Sequence, residues 1–357
     1  MPGTTTNTRY CRGYTISGQQ CRKIVKGAVQ FCYVHERIDL PSYVTVTPQV
    51  RFWVYTSPSN WRIGDKCDLT QSPRVFQSLG AKESYTLNTF ISEGTYGAVY
   101  YATKKSCGTL VALKISKRVF VKKNAGEGAD FMREYYVHKA INERCSSSSQ
   151  KIAVSLIDSF LLRNWKTGRL HGCLVMERMD GNISDLFYGP FNQREMAGTT
   201  RLWVEVCRFI SYALHEIHTK GIYHLDMKPG NVLYKKQTSG KYEFLLIDFG
   251  LSCLIDHIPE VPCRATGTYI PIEWRISASN KSPSFDLVTD PCELNNGEVF
   301  SACTTFDKLR RDFSLSAKSR LCNLLFLIKC GMCDKVNVRK TTTFSELVEA
   351  CDNILCS

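Results

Sequence analysis

The sequence predicts an α+β chain of two lobes, a small, mostly antiparallel sheet carrying one helix and then a mainly helical lobe, with a small Cys/His module ahead of both. Three observations predict it. From Tyr85 the chain alternates β-branched and aromatic runs with glycine turns, which is the pattern of paired strands. Past residue 180 the apolar residues change to helical spacing, as in Val206, Ile210, Ala213, Leu214 and Ile217. The opening stretch gathers Cys11, Cys21, Cys32 and His35 in a segment too short to fold on an apolar core. The expected divisions are 1–40 for the Cys/His module, 41–84 for a linker or extension of the first lobe, 85–179 for the first lobe and 180–357 for the second.

Composition is that of a globular chain, with 43% hydrophobic and 22% charged residues, so disorder is excluded as the general state. The formal net charge of +13 favours phosphorylated ligands, acidic proteins or nucleic acid by long-range attraction, and equally suits an ordinary basic surface. A nucleic-acid role for the acid-free first 35 residues is compatible with this charge and not indicated by it. Seventeen cysteines, an odd number, with no secretory pattern at the start, predict free thiols in an intracellular compartment, cytosol or nucleus. Leu324 to Ile328 is far short of the ~20 apolar residues of a membrane span. No membrane partner is expected, and oligomeric state is not legible.

In the first module, Cys32 and His35 can grip a zinc ion from one turn while Cys11 and Cys21 reach in from loops, giving a closed tetrahedral site. A cysteine-containing tail without metal is the competing reading. Residues 41–84 are punctuated by Pro41, Pro48, Pro58 and Pro73; short strands fit, and so does a linker strapped on by Trp53 and Trp61.

The first lobe opens with Ile91-Ser-Glu-Gly-Thr-Tyr-Gly-Ala-Val-Tyr100, where Gly94 and Gly97 let backbone close over phosphates, and continues into the strand Leu110 to Ile115. Lys114 interrupts that apolar strand, so its ammonium needs an acidic partner or a phosphate. An amphipathic helix from about Gly128 to Arg144 places Phe131, Glu134, His138 and Ile141 on one face, and Glu134 is the partner. Val154 to Leu162 and Gly172 to Met179 complete the sheet.

In the second lobe the buried helix ends at Lys220-Gly221, with His215 and His218 read as ordinary helix residues. The chain then enters His224-Leu-Asp-Met-Lys-Pro-Gly-Asn231. There Asp226 can accept a proton from an attacking hydroxyl, Lys228 can offset charge on a transferring phosphoryl group, and Asn231 can ligate a cation through its amide oxygen. A hairpin leads on to Asp248-Phe249-Gly250, with Asp248 placed to hold magnesium. Near the end, Phe344, Leu347, Val348, Cys351 and Leu355 form a helical stripe introduced by Thr343, so core packing rather than a second zinc site accounts for Cys330, Cys333, Cys351 and Cys356.

Taken together, the glycine turn, Lys114, Glu134, the 224–231 loop and Asp248-Phe-Gly resemble the eukaryotic protein kinase family over about Tyr85 to Ser357. The resemblance implies ATP with Mg²⁺ or Mn²⁺ in a cleft between the lobes, against Ile91, Gly94, Gly97, Val99, Ala112, Lys114, Glu134, Met176, Glu177 and Met179. It implies Asp226 and Lys228 as catalytic residues, Asn231 and Asp248 as metal ligands, and Ala265 to Glu273 as the end of an activation segment, with Thr266 at the substrate pocket. Lys228 favours serine/threonine over tyrosine substrates on proteins. Ser92 stands where the first loop glycine is usual, and Leu225 where an arginine is usual, which predicts activity without activation-loop phosphorylation. A buried aspartate of the next helix is expected among Asp286, Asp290 and Asp307. The drifted signatures and the N-terminal module look like a kinase of a large DNA virus, of the herpesvirus type. Two other functions compete: a pseudokinase scaffold, and a small-molecule phosphotransferase of the same fold.

Overall fold

The structure is a computed structural model that describes residues 9–10, 24–25, 53–55, 66–67, 85–94, 97–120, 129–163, 170–188, 200–255, 267–271, 291–310, 321–333 and 335–356. The chain forms two compact units, Met1–Tyr136 with Ser155–Arg178, and Val137–Val154 with Met179–Ser357. Residues 137–154, assigned by sequence to the first lobe, therefore group with the second unit. Cys11, Cys21, Cys32 and His35, and Thr266 and Glu273 of the activation segment, lie outside the described residues.

In the first unit, β1 (Arg9–Tyr10) and β2 (Ile24–Val25) pair antiparallel by themselves. The main sheet contains β3 (Trp53–Tyr55), β4 (Lys66–Cys67), β5 (Tyr85–Glu93), β6 (Gly97–Lys104), β7 (Leu110–Phe120), β8 (Leu156–Arg163) and β9 (Leu170–Glu177). They run in the order β4-β5-β6-β7-β9-β8, with β3 pairing the end of β7, and every pairing is antiparallel. The 41–84 stretch, ambiguous in sequence, thus supplies β3 and β4 to this sheet.

Alternation along these strands separates two faces. Ala98, Tyr100 and Ala102 on β6, Val111, Leu113 and Ile115 on β7, and Cys173 and Val175 on β9 form one buried cluster, closed by Phe160, which stacks on Tyr85. The opposite face carries Val99 beside Lys114 beside Leu174, and Tyr101 beside Ala112 beside Met176. Helix α1 (Ala129–Arg144) begins in this unit, with Phe131 buried at 7% exposure. A Cβ on Gly172 of β9 would meet ring carbons of Phe131 at 2.6 Å, so glycine there is what admits the helix to its packing distance.

The second unit is mainly helical: α2 (Ile183–Tyr188), α3 (Thr200–Thr219), α4 (Pro291–Arg310), α5 (Cys322–Gly331), α6 (Val336–Arg339) and α7 (Phe344–Leu355). Between α3 and α4 come β11 (Ile222–Tyr223), the hairpin β12 (Val232–Lys236) with β13 (Tyr242–Leu246), and β14 (Cys253–Leu254). β10 (Gly181–Asn182) pairs with β12. The α3 stripe read from sequence is wholly buried, and Trp203 on the same helix donates from its indole nitrogen to Phe306 O at 3.1 Å. Thr343 caps α7: its hydroxyl accepts from the Glu346 amide at 3.2 Å while the Glu346 carboxylate accepts from the Thr343 amide at 2.8 Å.

Core packing accounts for Cys351, buried with its thiol pushed up to about 12 by desolvation and by the Asp352 charge. It does not account for the other three, because Cys330 and Cys333 are half-buried and Cys356 is exposed. No cluster of His, Cys, Asp or Glu suited to a metal occurs among the described residues.

Substituting Gly172→Ala should destabilise the chain by about 2 kcal/mol, since a methyl must displace a buried ring. Chemical denaturation of the two proteins side by side measures it, and equal midpoints would mean that Phe131 yields freely.

Candidate active site

Each unit carries a polar cluster of its own. In the first, Lys114 leaves β7 on the face that also bears Val99, Ala112 and Met176, opposite the apolar cluster. Its Nζ lies 2.5 Å from Glu134 Oε1, with the two side chains 12% and 7% exposed. The pair forecast from an ammonium in an apolar strand is formed. Removing either partner would leave a largely buried charge uncompensated, at a cost of about 3 kcal/mol. Gly97 is needed beside it, because a Cβ would stand 2.9 Å from Ile115 O and 3.3 Å from the Lys114 side chain.

The turn before Gly97 is held by the Gly94 amide donating to Gly97 O at 2.8 Å. Ile91 is 40% exposed, and Glu93 pairs with Lys117 at 2.7 Å, so the strand end carrying Ser92 is tethered by an ion pair. On β9, Met176 is 1% exposed. Glu177 spends its carboxylate on the Ser155 amide at 2.6 Å and its own amide on Ser155 O at 3.1 Å. Met179, buried, belongs to the second unit.

In the second unit the loop His224 to Asn231 is almost entirely buried. Asp226 Oδ2 accepts from Lys228 Nζ at 2.6 Å and from Asn231 Nδ2 at 3.0 Å, and Asn231 Nδ2 also reaches Asp226 O at 2.7 Å. With the amide nitrogen so engaged, the oxygen Oδ1 is the side-chain atom of Asn231 suited to a cation. The hairpin register sets Val232 opposite Leu246, and the Ile247 amide donates to Asn231 O at 3.0 Å, which brings Asp248 next to Asn231. Asp248 takes a left-handed backbone, φ 67° and ψ 72°, at the start of a 3-10 turn, Phe249–Leu251. His224 donates from Nε2 to Ile247 O at 3.0 Å and accepts at Nδ1 from the Asp226 amide at 3.3 Å, one tautomer serving both bonds.

The most constrained residue is Leu225, also left-handed at φ 61° and 5% exposed. Its side chain joins Tyr223, Cys253, Ile270 and Leu294 in an apolar cluster. Its amide donates to Glu298 Oε1, and Glu298 Oε2 is bonded by His218 Nε2. His218 Nδ1 in turn faces Asn295 Oδ1 at 2.9 Å. Among the described residues, the acid under the loop is therefore Glu298 of α4, 1% exposed. Asp307 instead pairs with Arg310 at 2.9 Å, and Asp286 and Asp290 lie outside the described residues. His218, read as an ordinary helix residue, is part of this network. Sequence offered one clue to it, two histidines at the end of α3 just before the loop.

These residues fit a nucleotide with a hard divalent cation. Asn231 Oδ1 and the Asp248 carboxylate are oxygen donors, the type such cations select, and Gly97 clears space beside an ammonium suited to phosphate.

Residues 85–289, more than half of the chain, match the family described as protein kinase domain. Among similar curated proteins is a serine/threonine-protein kinase of Drosophila erecta, 28% identical over 54% of this chain and 23% of its own length. The serine/threonine-protein kinase stk11 homolog of Dictyostelium discoideum is 28% identical over 64% of this chain and 32% of its own. Cyclin-dependent kinase 12 of Caenorhabditis elegans is 26% identical over 67% and 31%. The chain thus spans less than a third of the length of each.

Replacing Glu298 by Ala leaves the Leu225 amide and His218 without their acceptor and should cost about 3 kcal/mol of stability, whereas Glu298→Gln, which keeps one acceptor oxygen, should cost less. Thermal melts of the two variants check the order; equal losses would show that the carboxylate's charge and not its acceptor geometry matters.

Proposed function

The chain belongs to the protein kinase family over residues 85–289, and from that premise we propose that it is an ATP-dependent serine/threonine kinase acting on protein hydroxyls. The observation that carries the reading is the set of bonds converging on Asp226, where Lys228 and Asn231 both donate to one carboxylate oxygen. That arrangement holds the carboxylate in a single orientation, as a base that accepts the proton of a substrate hydroxyl requires.

When bound, Mg²⁺ with ATP supplies a transferable phosphoryl group whose charge is already partly neutralised. The rest is done by the protein. Lys114, oriented by Glu134, offers an ammonium to phosphate oxygens, and Ile91, Val99, Ala112 and Met176 give apolar surface to the base, with Glu177 and Met179 as the connector. Gly94 and Gly97 keep side chains clear of phosphate. Asn231 Oδ1 and Asp248 are the cation ligands, and Lys228 stabilises charge as it develops near Asp226.

Activity without activation-loop phosphorylation is part of the proposal. The position before Asp226 holds Leu225, whose side chain ties the catalytic loop to Cys253 and Ile270, at opposite ends of that segment, by apolar packing. Such packing needs no added phosphate. The relatives named above come from cellular organisms, and the likeness to a viral kinase rests on the compact second lobe, the N-terminal module and the drifted motifs. Cys11, Cys21, Cys32 and His35 stand as candidate zinc ligands on their spacing, and an intracellular location on the thiol content.

Purified protein should transfer labelled γ-phosphate from ATP to a protein substrate mixture. Asp226→Asn and Lys114→Met should each reduce transfer by at least about 100-fold. Equal transfer by all three refutes the reading, and no transfer by any favours a pseudokinase scaffold. Treatment with a phosphatase should leave the wild-type rate within about twofold, because no phosphate takes part in the Leu225 packing; an inert dephosphorylated protein would overturn that part.

A further inference from the structure

Cys330 and Cys333 are two of the cysteines that neither core packing nor the chemistry above employs, and in sequence they form a Cys-Gly-Met-Cys run at the end of α5. Gly331 is the last helical residue, and Met332 follows at φ −84° and ψ −1°. The Cys333 amide donates to Cys330 O at 3.0 Å and the Met332 amide to Ile328 O at 3.0 Å, so the four residues close a turn of type I geometry continuous with the helix. Such a turn keeps its first and last Cα within about 7 Å, and disulfides bridge Cα separations of about 4.4–6.8 Å. The backbone already has the spacing that a bond between the two sulfurs needs.

The turn is also fixed from outside. Gly331 lies so close to α4 that a Cβ there would run into the Cys303 sulfur and approach the Val299 side chain at 3.2 Å. Past it, Cys333 O accepts from Arg339 Nη1 at 3.2 Å, and Arg339, 2% exposed, has its guanidinium over the Phe300 ring of α4 at 5.7 Å. Holding two reacting groups at bonding separation raises the effective concentration of one beside the other. Cys330 and Cys333 are half-buried, so a small reagent has access to them, whereas Cys303 is fully buried and burial pushes its thiol up, which leaves no thiolate for exchange. Among the described residues no third ligand joins the pair in a metal-binding group.

We propose that Cys330 and Cys333 are a dithiol–disulfide site whose reactant is a small-molecule disulfide of the glutathione type. One thiolate of the pair attacks the reagent, forming a mixed disulfide and releasing one thiol. The second thiolate then attacks the protein sulfur of that mixed disulfide, forming the Cys330–Cys333 bond and releasing the other thiol. The protein gives up two electrons and two protons, and one reagent disulfide becomes two thiols. A dithiol reductant reverses both steps. The site goes beyond the kinase reading and does not depend on it.

The test equilibrates the native full chain with oxidised and reduced glutathione, traps the remaining thiols by alkylation and maps the tryptic peptides by mass. Cleavage after Lys329 and Lys335 releases both cysteines in one peptide, 330–335. That peptide should be lighter by two hydrogen atoms, free of glutathione and closed to alkylation, whereas exposed Cys107 and Cys322, with no cysteine within three residues in sequence, should carry glutathione or the alkyl group. The equilibrium constant for closing the bond should be at least about tenfold larger in the native protein than in the same chain unfolded in guanidinium chloride, because the turn exists only in the fold. A 330–335 peptide that is alkylated twice, bears glutathione or is joined to the peptide containing Cys303 overturns the proposal, and so does a native constant no larger than the unfolded one. Phosphoryl transfer is not read at any point, so failure here leaves the kinase reading untouched, and failure of that reading leaves this site standing.

Discussion

The bond from the Leu225 amide to Glu298 carries the second unit's chemistry, because it fixes a loop that would otherwise have no reason to hold its shape. Leu225 is left-handed and buried, and its neighbours His224, Asp226 and Met227 are buried too, so their backbone groups must find partners inside the protein. The loop is too irregular to satisfy itself. Glu298 supplies one acceptor from α4, Ser252 donates to His224 O at 2.8 Å, and Asn231 turns back on Asp226 O. A carboxylate in such a place is itself expensive to bury. His218 answers that from α3 by bonding its second oxygen, and the ring of His218 is in turn packed between Tyr223 and Phe344.

The first unit solves a simpler problem by alternation. One face of its sheet is apolar and closes on itself; the other presents Val99, Ala112, Lys114 and Met176 in neighbouring rows. A strand offers successive residues to opposite faces, so a lysine can sit between Leu113 and Ile115 without entering the core that they build. Glu134 then needs only a helix close enough to meet it, and Gly172 makes room for that helix at Phe131.

Much of this was legible because the signals were local. The α3 stripe, the Thr343 cap, the Lys114 to Glu134 pairing and the hairpin ending at Asp248 each follow from spacing within about twenty residues, or from the single question of what an ammonium in an apolar strand must meet. Glu298 was not legible. It lies in the run Leu294 to Phe306, where polar Asn296, Glu298, Thr304 and Thr305 are buried alongside apolar residues and the helical stripe is blurred. Nothing about an acid in such a run announces that its partner is a backbone amide 73 residues earlier. The same holds for the terminal cysteines, whose spacing suggested one fate and whose burial differs residue by residue.

The sequence by itself determined which chemical groups are present, in what order, and which strand, helix or turn bears each of them, since propensity and periodicity act over a few residues. It thereby determined the two-part α+β plan, the pairing of Lys114 with Glu134 in one unit and the nearness of Asp226, Asn231 and Asp248 in the other. Only the tertiary structure decided what holds those groups in place. Glu298, His218 and Gly172 act through contacts between elements distant in the chain, where burial leaves a polar group one available partner and a ring one available space. Those choices belong to packing, and no local pattern encodes them.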